Sequence, residues 1–141
     1  MTTSNPTPPA ALIRHTIRLA GIVVGYSELE DASALLGRAR GHFRPGVGYE
    51  LVQPVFRLFT DAVPVPGGPV VDPEKLDRYH QSRDALHLSL EEDDGTPVRT
   101  SAIHIADYAD AEHPDAREVD ILISDQNYWD RREVREVVAR L

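Results

Sequence analysis

The stretch ALHLSLEEDDGTPVRTSAIHIADY, Ala85 to Tyr108, decides the fold. Two runs of alternating apolar and polar residues flank Asp94-Gly95, a dipeptide suited to a tight hairpin turn because both positions tolerate positive φ. With that pair at the tip, residue i faces residue 189 − i. Leu86, Leu88 and Leu90 then share a face with Ile103 and Ile105, and a slip of one residue would separate the two sets. Pro97 faces Glu92 in a non-hydrogen-bonded pair, where its missing N–H breaks no ladder. The stretch therefore predicts an antiparallel hairpin with one apolar face.

Upstream, Asp72-Pro73 is a helix start, an acceptor side chain at the cap and a proline in the first turn. It opens PEKLDRYHQSRDA, a mostly polar surface helix. VPVPGGPVVDP before it is a loop. A shorter helix is expected at about 54–63, with Val55, Leu58, Phe59 and Ala62 at helical spacing. IRHTIRLAGIVVGYS, Ile13 to Ser27, predicts one long strand bent at Gly21. After the connection SELEDASALLG, Arg38 to Arg44 predicts a second strand, antiparallel to the first. Downstream, EVDILISD is a fifth strand and NYWDRREVREVVARL a terminal helix. The expected order is β-β-α-α-β-β-β-α: an α+β fold with a mainly antiparallel five-stranded sheet and helices packed on one face. Residues 12–141 form a single domain, and the Pro/Thr-rich residues 1–11 a disordered arm.

Composition bounds the function. The 141 residues are 41% hydrophobic and 27% charged, a soluble globular balance. No apolar run suits a membrane span, and MTTSNPTPPA is not a secretory signal. Without cysteine there are no disulfides and no thiolate chemistry, and a cytoplasmic setting is the default expectation. All positive charge but Lys75 is arginine, which fits a bacterial-like, GC-rich coding bias or a need for bidentate anion recognition. The net charge is −8, but residues 1–60 carry six arginines against four acids, and the acidic surplus lies beyond them. That balance disfavours nonspecific nucleic-acid binding, though a local patch can act.

Three sets of residues are candidates. Arg38, Arg40, His42 and Arg44 fall on every second position and so on one strand face. They form an anion site, or a solvated face, or they pair with acids such as Glu28, Glu30 or Asp31. On the hairpin, His87 and His104 are diagonal neighbours on the polar face with Ser89, Thr100 and Tyr108. Two imidazoles and a carboxylate make a zinc or iron site, but Asp107 turns to the opposite face and Glu91 lies near the turn. The reading is a polar sheet face with no metal and no cofactor. The terminal helix carries Trp129 at its start and a stripe of Val134, Val137, Val138 and Leu141. The stripe either docks on the domain's own sheet or contacts a partner.

Other motifs fail. Tyr79 and His80, with Arg83 and Asp84, read as an exposed helix face rather than a dyad. Gly25-Tyr26-Ser27-Glu28-Leu29 lacks the second glycine of a nucleophile elbow. The glycines at 46, 48, 67 and 68 build no phosphate loop. The sum is a binding or interaction domain rather than an enzyme, meeting a protein partner, a second copy in a homodimer, or a small ligand. A second reading is an enzyme or sensor for a small anion, with Arg38, Arg40 and Arg44 holding it and His42, His87 or His104 moving protons. A third is nucleic-acid binding through the basic strand.

Overall fold

A computed structural model describes residues 5–141. The elements run β1 (Asn5–Pro6), a 3-10 turn (Pro9–Ala11), β2 (His15–Leu19), β3 (Ile22–Ser27), β4 (Asp31–Ser33), β5 (Arg38–His42) and β6 (Arg44–Pro45). After a 3-10 turn at Tyr49–Leu51 come α1 (Gln53–Ala62), α2 (Pro73–Leu86), β7 (Ser89–Glu91), β8 (Pro97–Val98), β9 (Thr100–Asp107), β10 (Arg117–Ile123) and α3 (Gln126–Ala139). The fold is α+β and every strand pairing is antiparallel. The strands divide between two sheets, ordered β1-β4-β5-β10-β9 and β6-β3-β2-β7-β8.

Both sheets supply one core. Ile17, Val24 and Leu90 from the second meet Ala39, Ile103, Ile105, Val119 and Ile121 from the first. The chain changes sheet within very few residues: at Phe43 between β5 and β6, and at Arg99 between β8 and β9. Phe43 is 1% exposed, and its ring lies so close to Gly25 that a Cβ there would sit 2.3 Å from it. Only glycine fits beneath that ring.

Several expectations are corrected. Ile13–Ser27 is not one bent strand. Ala20 (φ 49°) and Gly21 (φ 88°) both adopt positive φ, and Leu19 pairs with Ile22 across them. That is the two-residue hairpin turn whose twist matches its strands, so β2 and β3 are separate. Nor does β5 pair with them; it lies between β4 and β10, and only Arg44–Pro45 joins β3. The Asp94-Gly95 turn exists in a different register. Leu90 faces Val98 and Glu91 faces Pro97, because Gly95 alone takes positive φ and the loop holds three residues, with the Glu92 N–H bonded to Thr96 O. This is the type I turn followed by a left-handed glycine. Ile103 and Ile105 then face the core from the other sheet, while Leu86 ends α2 and Leu88 precedes β7.

The helices start where local chemistry says. The Asp72 carboxylate accepts from Lys75 N–H at 3.1 Å and Pro73 follows. Of the arm expected over residues 1–11, residues 1–4 lie outside the described residues. The rest is built in: Asn5–Pro6 pairs with β4, Thr7 N–H donates to Glu30 O at 3.0 Å, and Ala11 is buried. Prolines fix φ in advance, which lowers the entropy lost when such a segment is laid on a sheet edge. Among the described residues no helix is long and apolar enough to cross a membrane.

Candidate functional site

The basic face of β5 finds its counter-charges within the chain. Arg38 meets Asp120 in a side-on fork, with Nε 2.8 Å from Oδ1 and Nη2 in close contact with Oδ2. Arg40 Nη2 lies 2.9 Å from the Asp31 carboxylate, and Arg44 Nη1 lies 3.7 Å from Glu28. His42 is exposed, and its backbone N–H donates to the Glu30 carboxylate at 2.9 Å. Asp31 and Glu28 are near in sequence. Asp120 arrives only because β10 pairs with β5 in the register that sets Asp120 opposite Arg40. Such half-exposed pairs contribute about 0–1 kcal/mol each; their consequence is that no cluster of three unmatched guanidinium groups stands on this strand.

The five residues expected to share the hairpin's polar face are dispersed. His87 closes α2 in the left-handed conformation (φ 51°), and Ser89 is exposed on β7 opposite Arg18. Tyr108 donates its hydroxyl to Val63 O at 2.6 Å. His87 and Thr100 line one hollow of about 290 Å³, and His104 lines another. The cause is the sheet change at Arg99, which puts β7 and β9 in different sheets. Among the described residues no group of three or more His, Asp or Glu is placed to share an ion.

His104 meets α1 and α2 instead. Its Nδ1 is hydrogen-bonded to the Tyr79 hydroxyl, and Phe59 packs edge-on at 4.4 Å between ring centroids. Tyr79 is therefore core, at 1% exposure, and not part of an exposed helix face; His80 beside it is exposed. Burial lowers the His104 pKa to about 4, with Asp120 opposing the shift, and burial raises the Tyr79 hydroxyl.

Asp107 anchors the far end of β9. Burial alone would raise its carboxyl, but bonds from Tyr49 Oη (2.6 Å), Ala109 N–H (3.1 Å) and Gln53 Nε2 (3.2 Å), with Arg117 alongside, hold it below the usual range.

The helix α3 is turned the opposite way from its apolar pattern. Asp125 caps it, and its inner face is Tyr128, Trp129, Arg131, Arg132 and Arg135. Arg132 is 4% exposed; it donates to Tyr128 Oη at 2.8 Å, to Leu29 O at 2.6 Å and to the Thr7 hydroxyl. Arg131 (2.7 Å) and Arg135 (3.0 Å) both grip Glu92, a carboxylate 4% exposed beside the β7–β8 turn. Trp129 donates Nε1–H to Ile123 O at 3.2 Å and is 7% exposed, so it belongs to the core and not to a contact surface. Val134, Val137, Val138 and Leu141 are 63%, 52%, 61% and 99% exposed. The expected docking of this stripe on the chain's own sheet does not occur, because matched arginines take the inward positions. A signal for this lay in the sequence: Arg131 and Arg135 one turn apart, and an acidic run, Glu91 to Asp94, at the hairpin. The stripe continues over a hollow of about 560 Å³ to Leu35, itself 89% exposed. Compared with protein-family models, curated proteins and solved structures, the chain matches none.

Proposed function

We propose that this chain is a protein-contact module that assembles with a second copy of itself through the outward face of α3. One observation carries the reading: four large apolar side chains, three on one face of α3 and Leu141 just past its end, are more than half exposed, while the same helix turns Arg131, Arg132 and Arg135 inward. Contiguous apolar surface of this kind marks interaction sites.

Charge complementarity favours a second copy. In an antiparallel pair with its two-fold axis between Val137 and Val138, Val134 meets Leu141 of the other copy. Glu133 then falls opposite position 142, two residues from Arg140 of that copy, an axial offset of about 3 Å that long side chains span. Among the described residues Glu133 has no ion pair. Two such pairs would flank the valine seam.

Burying roughly 50 Å² on each of eight side chains yields on the order of 10 kcal/mol, from which association subtracts about 4 kcal/mol. The expected dissociation constant is roughly 10–100 μM. Sedimentation equilibrium across that range tests it. Val137→Glu should give a monomer with little change in thermal stability, since Val137 is half exposed and takes no part in the core. A wild-type chain monomeric at ten times that concentration would refute the reading.

A further inference from the structure

We propose that the cleft between α2 and the outer face of the β9–β10 pair binds a small organic carboxylate with an apolar body. This site is separate from the α3 face. The cleft measures about 460 Å³, the size of a small-ligand pocket. Its walls include Phe59, Leu122 and Ala102, and its polar lining includes Arg38, His104, His80 and Arg83.

The class of ligand follows from which polar groups remain uncommitted. Asp120, the carboxylate of the cleft, has one oxygen taken by Arg38 Nε and the other by Nη2. The fork leaves Arg38 Nη1 without a partner among the described residues. Arg83 lies beside the Tyr79 ring, 5.5 Å from its centroid, and can only donate. No other acceptor for the Tyr79 O–H lies within hydrogen-bond distance among the described residues, so it is the donor to His104 Nδ1. This fixes the tautomer: His104 carries its proton on Nε2, which has no protein partner among the described residues. The low pKa of His104 agrees with a neutral ring. Arg38 Nη1 and His104 Nε2–H are thus two donors over an apolar wall, while both oxygens of Asp120 already face Arg38. Two N–H donors suit the two oxygens of a carboxylate. Phe59 and Leu122 suit a ring or branched aliphatic body. Leu122 at the rim is 45% exposed, an apolar surface that such a body would cover.

Benzoate is the probe, followed by the ring resonances of His104 in isotope-labelled full-length protein. The expectation is a saturable shift with a dissociation constant on the order of 1 mM, fitting for so small a ligand. Benzamide, the neutral isostere, and acetate, which lacks the body, should each bind at least tenfold more weakly. Leu122→Glu changes an exposed rim residue, so the fold is not at risk. It sets a negative charge at the mouth and should weaken benzoate at least tenfold. The proposal is overturned by no response of His104 to benzoate, by benzamide or acetate binding as well as benzoate, by inorganic phosphate binding better than either, or by an unaltered affinity in Leu122→Glu.

Discussion

Acidification to pH 5 should remove a large part of this protein's stability, and His15 should account for about half of the loss. His15 on β2 is 1% exposed. Its Nε2 lies 2.9 Å from the Tyr128 hydroxyl, with the two rings edge to face at 5.6 Å, and its Nδ1 has no hydrogen-bond partner among the described residues. Burial, and then the charges of Arg132 and Arg135, lower its pKa from 6.5 to about 3. At pH 7.5 the ring is neutral in both the folded and the unfolded chain. Between pH 7.5 and 5 the unfolded chain takes up a proton that the folded chain refuses, so stability falls as pH falls. Integrated over that window, a group at 6.5 unfolded and well below 5 folded contributes a loss of about 2 kcal/mol. His104, lowered to about 4, contributes about 2 kcal/mol more by the same route. The window stays above the ordinary carboxylate range, so the histidine contribution is isolated. Urea unfolding followed by Trp129 fluorescence at pH 7.5 and 5.0 measures the loss. The variant His15→Gln keeps a polar group near Tyr128 and cannot protonate; it should lose only about half as much as the wild type. Equal losses in the two proteins would show that His15 is not held neutral by its surroundings.

Two further outcomes bear on the frame. Glu92→Gln leaves two arginines without their buried counter-charge and should cost about 3 kcal/mol in urea unfolding, whereas Asp84→Asn, at an exposed pair, should stay within about 0.5 kcal/mol. A cost below 1 kcal/mol for Glu92→Gln would mean that α3 is held by Tyr128, Trp129 and Arg132 without help from the Glu92 pairs. Gly25→Ala forces a Cβ into the Phe43 ring and should lower stability by about 2 kcal/mol or more; a thermal midpoint within a degree of wild type would place the ring elsewhere.

The parts of the fold legible in the sequence are those set by neighbours in the chain. Asp72-Pro73 starts α2 because cap and proline act within one turn. Ala39, Gly41 and Phe43 go inward and Arg38, Arg40 and His42 outward because a strand alternates. Asp31 and Glu28 were foreseeable partners of the arginines for the same local reason. What was not legible depends on residues far apart. Gly21 looked like a bend because its letters do not say whether Ala20 also takes positive φ. The hairpin register at Asp94-Gly95 shifted by one because Gly95 alone turned left-handed, and the Arg99 corner then carried β9 away. The valine stripe of α3 pointed inward by its period, but Glu92 and Leu29 O decide which face docks, and neither is near in sequence. His104 and Tyr79 could not be joined by spacing, because the contact runs between a helix and a strand of a sheet assembled elsewhere.

Arg132 ties together parts of the molecule made at different times. It donates to Thr7, 125 residues earlier, and to the carbonyl of Leu29, a buried residue held at φ 48° where leucine is strained. While the chain is being synthesised, the β1 edge and the Leu29 corner have no such donor until α3 has left the ribosome. The sheets can gather beforehand, but the seal is a late, long-range event of the kind that slows folding. The β1 edge is made long before the helix that secures it, and any fluctuation that lifts α3 removes that tie again.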